Sequence, residues 1–403
     1  MKCPSGLARL WRSAYERLFP LGIPLAWRQL AVERKRFAAA LAGITFAVTM
    51  MLFQMGLNTA LFDQVVAPLL QMKGDIVLIS PQFEYFGISS AFPETRLYAA
   101  FAVPEVREKA GLDLGSLPFK NPLTGRERSI FIMAFDPADQ PFKNPAILAQ
   151  QDKLKDDQAV LFDTLSRSDY GPIAKLWADN GGQVDSEIAG KHFSIEGLFT
   201  MGPTFAADGN VLMSRNGFQQ IWPGAQADEI NVGLLTLRPG ADPVDVAARL
   251  TALLPPDVEV HTMPDFILKE KTYWAQRTPI GFVIGASMMV ALIVGAVIVY
   301  QILYTDVTDH LPEYATLKSI GFTDGYFIRL VLQESVILSV LGFVPGAVLA
   351  GGLYWLTRKY AHMPTYLHAG NLGAVFGLSL LMCLLAGALA TRKLRQANPA
   401  DIF

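Results

Sequence analysis

Between Leu311 and Phe322 the sequence reads LPEYATLKSIGF, a short amphipathic stretch set between two long apolar runs. Its residue types suit the receipt of a mechanical push from a soluble partner. Asp309 fits an N-cap, Pro312 a first helical turn, and Glu313 the positive end of a helix dipole. Lys318 favours the negative end, and Gly321 supplies a left-handed stop. Leu311, Leu317 and Ile320 fall within helical reach of one another and share an apolar face.

Bond-making chemistry is hard to place anywhere else. No G-x-x-x-x-G-K-[ST] phosphate loop occurs in the chain, so it is not expected to bind ATP by itself. There is no H-E-x-x-H, and His192, His261, His310, His362 and His368 lack the spacing of a zinc site. No serine lies in G-x-S-x-G. The carboxylates Asp152, Asp156 and Asp157 read as a solvated face. No catalytic residue, bound metal or cofactor is expected, and nothing points to a nucleic-acid partner. Glu334 is the one acid well inside an apolar run, where charge is costly. Two readings of it stand: a contact between the 311–322 segment and the third apolar run, or an interfacial glutamate solvated by lipid headgroups.

The elements that carry these residues are membrane spans. Of 403 residues, 51% are hydrophobic and 17% charged, which departs from the average soluble domain. Crossing ~30 Å of hydrocarbon takes roughly 20 apolar residues. Four runs meet or approach that: 37–62, 278–305, 330–357 and 369–391. Arg9, Arg12, Arg17, Arg28, Arg34, Lys35 and Arg36 precede the first, and Arg392, Lys393 and Arg395 follow the last. Both termini are therefore assigned to the cytoplasm, as is the connector 306–329. Residues 63–277 and the short loop 358–368 then lie outside it. Residues 1–36, with Trp11, Tyr15, Leu18 and Trp27 among arginines, read as a surface helix or as a solvated basic tail. Residues 392–403 form a cytoplasmic tail. The first run has no cleavage pattern and reads as an anchor. Cys3 and Cys383 cannot pair across these regions, so the outer domain must stand without a disulfide.

Within residues 63–277, a helix continues out of the first span to Lys73, with a bend expected near Pro68. Strands are expected at Ile76–Ile79, Ile130–Phe135, Ala159–Phe162 and Val232–Leu237. Residues 191–214 alternate short β-like runs with Gly, Pro and Asn punctuation. A helix is expected over Pro243–Leu254, and another after Pro264 leads back to the second span. The fold class is thus four transmembrane helices with a large mixed α/β domain inserted between the first and second. No internal repeat stands out, which argues against an inverted-repeat transporter. Small residues recur at helix-packing spacing: Gly281 and Gly285, Gly342 and Gly346, Gly373 and Gly377. Gln54 and Asn58 are candidates for interhelical hydrogen bonds. No continuous polar stripe marks a wide aqueous channel.

The run EYATLKSIG, Glu313 to Gly321, is similar to the signature after the second span of FtsX-like ABC permeases, the MacB and LolC/LolE group. The third span, with Gln333, Glu334, Ser335, Leu338, Ser339, Gly342 and Gly346, resembles that family too. Pro24 through Lys73, GDIVLISPQ from Gly74 to Gln82, and ETRLYAA from Glu94 to Ala100 look like the DevC branch, named for an exporter of envelope glycolipids. The resemblance implies an inner-membrane homodimer working by mechanotransmission, without an ATPase of its own. It implies a DevA-type ATPase using ATP and Mg, a DevB-type periplasmic adaptor and a TolC-like outer-membrane channel. It implies further that Leu311, Glu313, Tyr314, Thr316, Leu317, Lys318 and Gly321 couple to that ATPase. The expected function is export of an envelope lipid, glycolipid or other periplasmic substrate. The alternative within the family is an FtsX-type regulator that activates a periplasmic enzyme without transport. A ligand-sensing receptor lacks a cytoplasmic signalling domain here, and a membrane hydrolase lacks its nucleophile and metal patterns.

Overall fold

The computed structural model describes residues 34–204, 207–224, 226–310, 312, 316, 320–321, 323–361 and 365–396. The surface segment expected ahead of residue 34 and the end of the tail lie outside the described residues, as does Cys3. Helix α1 (Arg34–Gln71) continues past the expected span end at 62 and tolerates Pro68 in its last turn. It is followed by β1 (Ile76–Ile79), β2 (Phe92–Pro93), α2 (Thr95–Ala99), β3 (Val106–Lys120) and β4 (Glu127–Phe135). Next come α3 (Pro145–Leu148), β5 (Ala159–Asp163), α4 (Ile173–Asp179), β6 (Val184–Ile188), β7 (Lys191–Phe199), β8 (Asn210–Ser214) and α5 (Arg215–Ile221). The domain ends with β9 (Glu229–Ile230), β10 (Val232–Leu237), α6 (Pro243–Leu253), β11 (Glu259–Thr262) and α7 (Met263–Gln276). Three long helices finish the chain: α8 (Pro279–Asp309), α9 (Asp324–Ala361) and α10 (Ala369–Gln396).

Four helices are long and apolar enough to cross a membrane, with spans at Phe37–Gln71, Gly281–Asp309, Gly325–Tyr360 and Ala369–Thr391. The chain is a four-span membrane protein with a mixed α/β domain inserted between its first two spans. It divides into two compact units, one from the chain up to Ala60 and from Val283 onward, the other from Leu61 to Phe282.

The inserted unit is built on one nine-stranded sheet in the order β11-β1-β10-β3-β4-β8-β5-β7-β6. Most neighbours are antiparallel, but β4–β8 and β5–β7 are parallel. The far end of β3 also pairs with β6, Phe119 opposite Ile188, so six strands close back on themselves. The 15-residue β3 is thus shared by an open half and a closed half.

Period-2 alternation explains why the strands read as unbroken apolar runs. In β1, Val77 and Ile79 enter a central core, while Ile76 and Leu78 enter a second core under α2 and α6. In β4, Phe131, Met133 and Phe135 face the central core, and Ile130, Ile132 and Ala134 face a third, inside the closed half. Both faces are buried, so no polar residue interrupts the pattern. The central core also takes Leu69 and Met72 from α1 and its adjoining residue, and Met263 and Phe266 from α7. Thr262 caps α7, accepting from the Asp265 N–H with Pro264 in the first turn.

Candidate functional site

In the connector between α8 and α9, the described positions are consistent with one short helical turn and a stop. The Thr316 hydroxyl donates to the Pro312 carbonyl at 2.9 Å, a one-turn spacing. Gly321 has φ of +107°, a left-handed value that only glycine adopts without strain. Leu311, Glu313, Tyr314, Leu317 and Lys318 lie outside the described residues. Ile320 is exposed. Asp309 is the last residue of α8, which runs past the expected span end at Thr305.

The spans on either side of this connector pack against α1 and α10. Gly342 and Gly346 of α9 sit against α1. A methyl group at Gly342 would lie 2.5 Å from Ile44 Cγ2, and one at Gly346 would lie 2.7 Å from Val48 Cγ1. At this close approach the Thr49 hydroxyl donates to the Gly346 carbonyl at 3.2 Å, and Thr45 to Gly342 at 3.4 Å. Two turns on, the buried Tyr354 hydroxyl donates to the Leu52 carbonyl. The other glycines behave differently. Gly285, Gly373 and Gly377 have nothing within 4 Å of the space a side chain would fill. Gly281 abuts the Ala275 backbone at the α7–α8 junction, so its close contact is local to that junction rather than to the packing of separate helices. Close approaches at Gly295, to Ala47 and Met382, and at Gly387, to Ser335, have no second glycine four residues away to mark them in the sequence.

Glu334 is fully buried, on α9 beside the buried Ser335 and one turn before the buried Ser339. That position is an enclosed one; headgroup solvation does not describe it. The Ser335 hydroxyl donates to Val331 at 2.8 Å, and Ser339 meets Ser379 of α10 at 3.3 Å. A polar seam therefore runs inside the bundle between α9 and α10. Thr59 and Asn371 join α1 to α10 at 3.3 Å. The Asn58 carbonyl oxygen, expected to bond between helices, is buried without a hydrogen-bond partner among the described residues.

The inserted unit holds a charge cluster that sequence reading missed. Arg215, at the start of α5, reaches Glu94 at 2.5 Å, Asp113 of β3 at 3.1 Å, and the Glu229 carbonyl at 2.6 Å. Lys109 lies 3.7 Å from Glu94 and 3.8 Å from Asp139. Burial pushes the Asp113 carboxyl up to about 7 against the pull of Arg215. The cluster ties the closed half of the sheet to α2 and the open half. Its members are scattered over more than a hundred residues, so no local motif marks them. Among the described residues, no group of three or more His, Cys, Asp or Glu could hold a metal ion.

Residues 285–399 match the family model for the C-terminal region of FtsX-like permeases. The chain carries an FtsX-like permease domain. That permease domain contains α8 from Gly285, the 311–322 segment, α9 and α10. The chain is 25% identical over 122 residues to the macrolide export ATP-binding/permease protein MacB of Bdellovibrio bacteriovorus, covering 30% of this chain and 19% of that protein. It is 27% identical over 119 residues to an uncharacterised ABC transporter permease, YknZ, of Bacillus subtilis, covering 30% of each. The matches thus span less than a third of either relative. Among solved structures, the periplasmic region of MacB from Actinobacillus actinomycetemcomitans aligns over 48% of this chain and 91% of its own, with a TM-score of 0.34 and 8% identity. The extracellular domain of YknZ aligns over 46% and 99%, with a TM-score of 0.31 and 13% identity.

Proposed function

We propose that this chain is the transmembrane permease subunit of an ABC export system, driven by a separate ATPase that docks on the 311–322 segment. The observation that carries this reading is the FtsX-like permease match over 285–399, because it encloses that segment and its flanking spans in a chain without a phosphate loop. The inserted unit is assigned to the periplasm and both termini to the cytoplasm, from the arginines and lysines beside the first and last spans. The protein then sits in the inner membrane as a homodimer. Its other partners are a DevB-type adaptor, a TolC-like channel beyond it, and membrane lipid. The DevA-type ATPase supplies ATP and Mg chemistry; this subunit supplies motion.

The physical argument for transmission is stiffness. Helix α1 is uninterrupted from Arg34 to Gln71, and its end is buried in the central core of the inserted unit with Met263 and Phe266 of α7. Helices deform little along their axes, and packed bundles move between discrete arrangements. The cargo reading, an envelope lipid or glycolipid, rests on the DevC resemblance.

The test is reconstitution with the candidate ATPase and adaptor, comparing wild type with Glu313→Ala and Leu317→Ala. ATP hydrolysis stimulated by the permease should fall while assembly in the membrane persists. Unchanged stimulation in both variants would overturn the docking assignment.

A further inference from the structure

The end of α9 remote from the 311–322 connector carries two cations in its last turn, Arg358 and Lys359. From residue 335 to residue 400 the sequence holds no Asp or Glu. Among the described residues, the contacts of both cations are with a carbonyl and with aromatic rings. The Arg358 guanidinium lies 5.0 Å from the centre of the Tyr366 ring and donates to the Thr365 carbonyl at 2.6 Å. The Lys359 ammonium lies 4.9 Å from the centre of the Trp355 ring and 5.5 Å from that of Tyr360. Trp355, Tyr360 and Tyr366 are all exposed.

The returning chain fixes Arg358 in place. Thr365 is fully buried, and its hydroxyl donates to the Tyr354 carbonyl at 3.2 Å. That ties the segment leading into α10 to the last turns of α9 and sets Tyr366 beneath the guanidinium. A guanidinium has five N–H donors in a rigid fork. One is spent on Thr365, and the others keep their capacity.

Helix α10 sets the depth. Its apolar span, Ala369–Thr391, is 23 residues long and rises about 34 Å, close to the ~30 Å of the hydrocarbon core. Ala369 therefore stands at the edge of that core. Leu367 lies back along α9, where a methyl at Gly351 would meet it at 3.4 Å. Arg358 is two turns beyond Gly351, about 10 Å of rise, which brings it to the level of the lipid headgroups.

Cations in the last turn of a helix complement its dipole, but a dipole has no preference among lipids. Two cations without an acid partner at the rim of a low-dielectric layer call for an anion at the same depth, and lipid phosphate supplies one. We propose that Arg358 and Lys359 bind the phosphate of an anionic phospholipid, with Trp355, Tyr360 and Tyr366 packing against its glycerol and upper acyl chains. The guanidinium fork matches phosphate bidentately, and Lys359 adds a compact point charge. A zwitterionic headgroup brings its own ammonium, which Lys359 repels; phosphatidylglycerol brings none. An acidic protein surface would answer the charge, but the exposed rings favour the interface of a bilayer. The assignment needs only that α9 crosses the membrane, so it does not depend on the export reading.

The experiment is quenching of Trp355 fluorescence in the full-length chain, reconstituted in mixed vesicles of phosphatidylglycerol and phosphatidylcholine. One lipid at a time carries bromine on its upper acyl chains, and the signal of a Trp355→Phe chain is subtracted. Phosphatidylglycerol should bind beside Trp355 in preference to phosphatidylcholine by on the order of twentyfold, about fivefold for each cation. The preference should shrink in high salt. Lys359→Gln, which breaks no hydrogen bond, should cut it about fivefold, and adding Arg358→Gln should abolish it. Arg358→Lys, which keeps the charge but gives up the fork, should retain most of it; circular dichroism confirms that each variant folds. Loss of the preference in Arg358→Lys would make loop order rather than charge responsible and overturn the proposal. An undiminished preference in the double variant would overturn it too. So would equal quenching by the two lipids in the wild type, a result that would point to an acidic protein surface as the occupant.

Discussion

Alanine at Gly342 and Gly346 should weaken the bundle, whereas alanine at Gly373 and Gly377 should not. All four glycines lie in membrane helices at the same spacing, so any gain from replacing glycine in a helix, up to about 1 kcal/mol, is common to them. The difference between the pairs therefore isolates steric fit. A methyl at Gly342 lies 2.5 Å from Ile44 Cγ2 and 2.8 Å from its Cβ; one at Gly346 lies 2.7 and 2.8 Å from the matching atoms of Val48. Carbon atoms prefer separations of about 3.5–4.0 Å, so α1 and α9 must part by roughly 1 Å. Ile44 and Val48 are β-branched and cannot swing clear easily. Overpacking of this kind costs about 1–3 kcal/mol, and parting would also stretch the Thr49–Gly346 hydrogen bond, now 3.2 Å. Unfolding in mixed micelles of rising sodium dodecyl sulfate measures the effect. The inner pair should lose about 1–3 kcal/mol relative to the outer pair. Equal losses at all four positions would refute the reasoning, because the outer face would then be as tightly packed as the inner one.

Three further outcomes follow from the packing. Arg215→Ala leaves Glu94 and Asp113 without their shared cation and should cost about 3 kcal/mol in chemical denaturation; a loss under about 1 kcal/mol would mean the cluster is solvated. Tyr354→Phe removes a buried donor to the Leu52 carbonyl and should cost about 1 kcal/mol in the micelle assay, while leaving secondary structure by circular dichroism unchanged. Glu270 sets a pH dependence. Its carboxyl is raised from 4.5 to about 7 on folding, so its contribution is full below the unfolded value and lost as pH rises through about 7. Melting of the inserted unit should therefore be higher at pH 5 than at pH 8, and Glu270→Gln should flatten that difference; an unaltered slope would place the titration elsewhere.

Much of the architecture is legible in the chain because membranes and buried sheets each impose a strong pattern. In hydrocarbon every backbone group must be satisfied within its own helix, so an apolar run of sufficient length announces a span. The strand at Val232–Leu237 coincides with its sequence limits, because both of its faces are buried. Strand β3 is a different case. Its sequence VREKAGLDLGSLPFK mixes charges, two glycines and a proline, since it passes through three environments and has no single period. Pro68, where a bend is expected, stands in the last turn of the continuous helix α1, where few following hydrogen bonds depend on its missing N–H.

The residue types at Leu311–Phe322, the four apolar runs and the strand–helix alternation are determined by the sequence alone, since each is a local periodicity with one physical cause. Which glycines meet another helix is not. Gly342 and Gly373 carry the same local signal, and only the packing of α1 against α9 separates them. Glu270 gives a similar lesson. In the run LKEK it reads as one charge among several on a solvated helix. Yet it follows Phe266 by one turn on the buried face of α7, and the loop carrying Phe86 closes over it. An acid at that spacing was a visible clue. Its neighbours, from β8 and from before β2, are brought to it only by the tertiary fold, because burial depends on long-range contacts that no local period encodes.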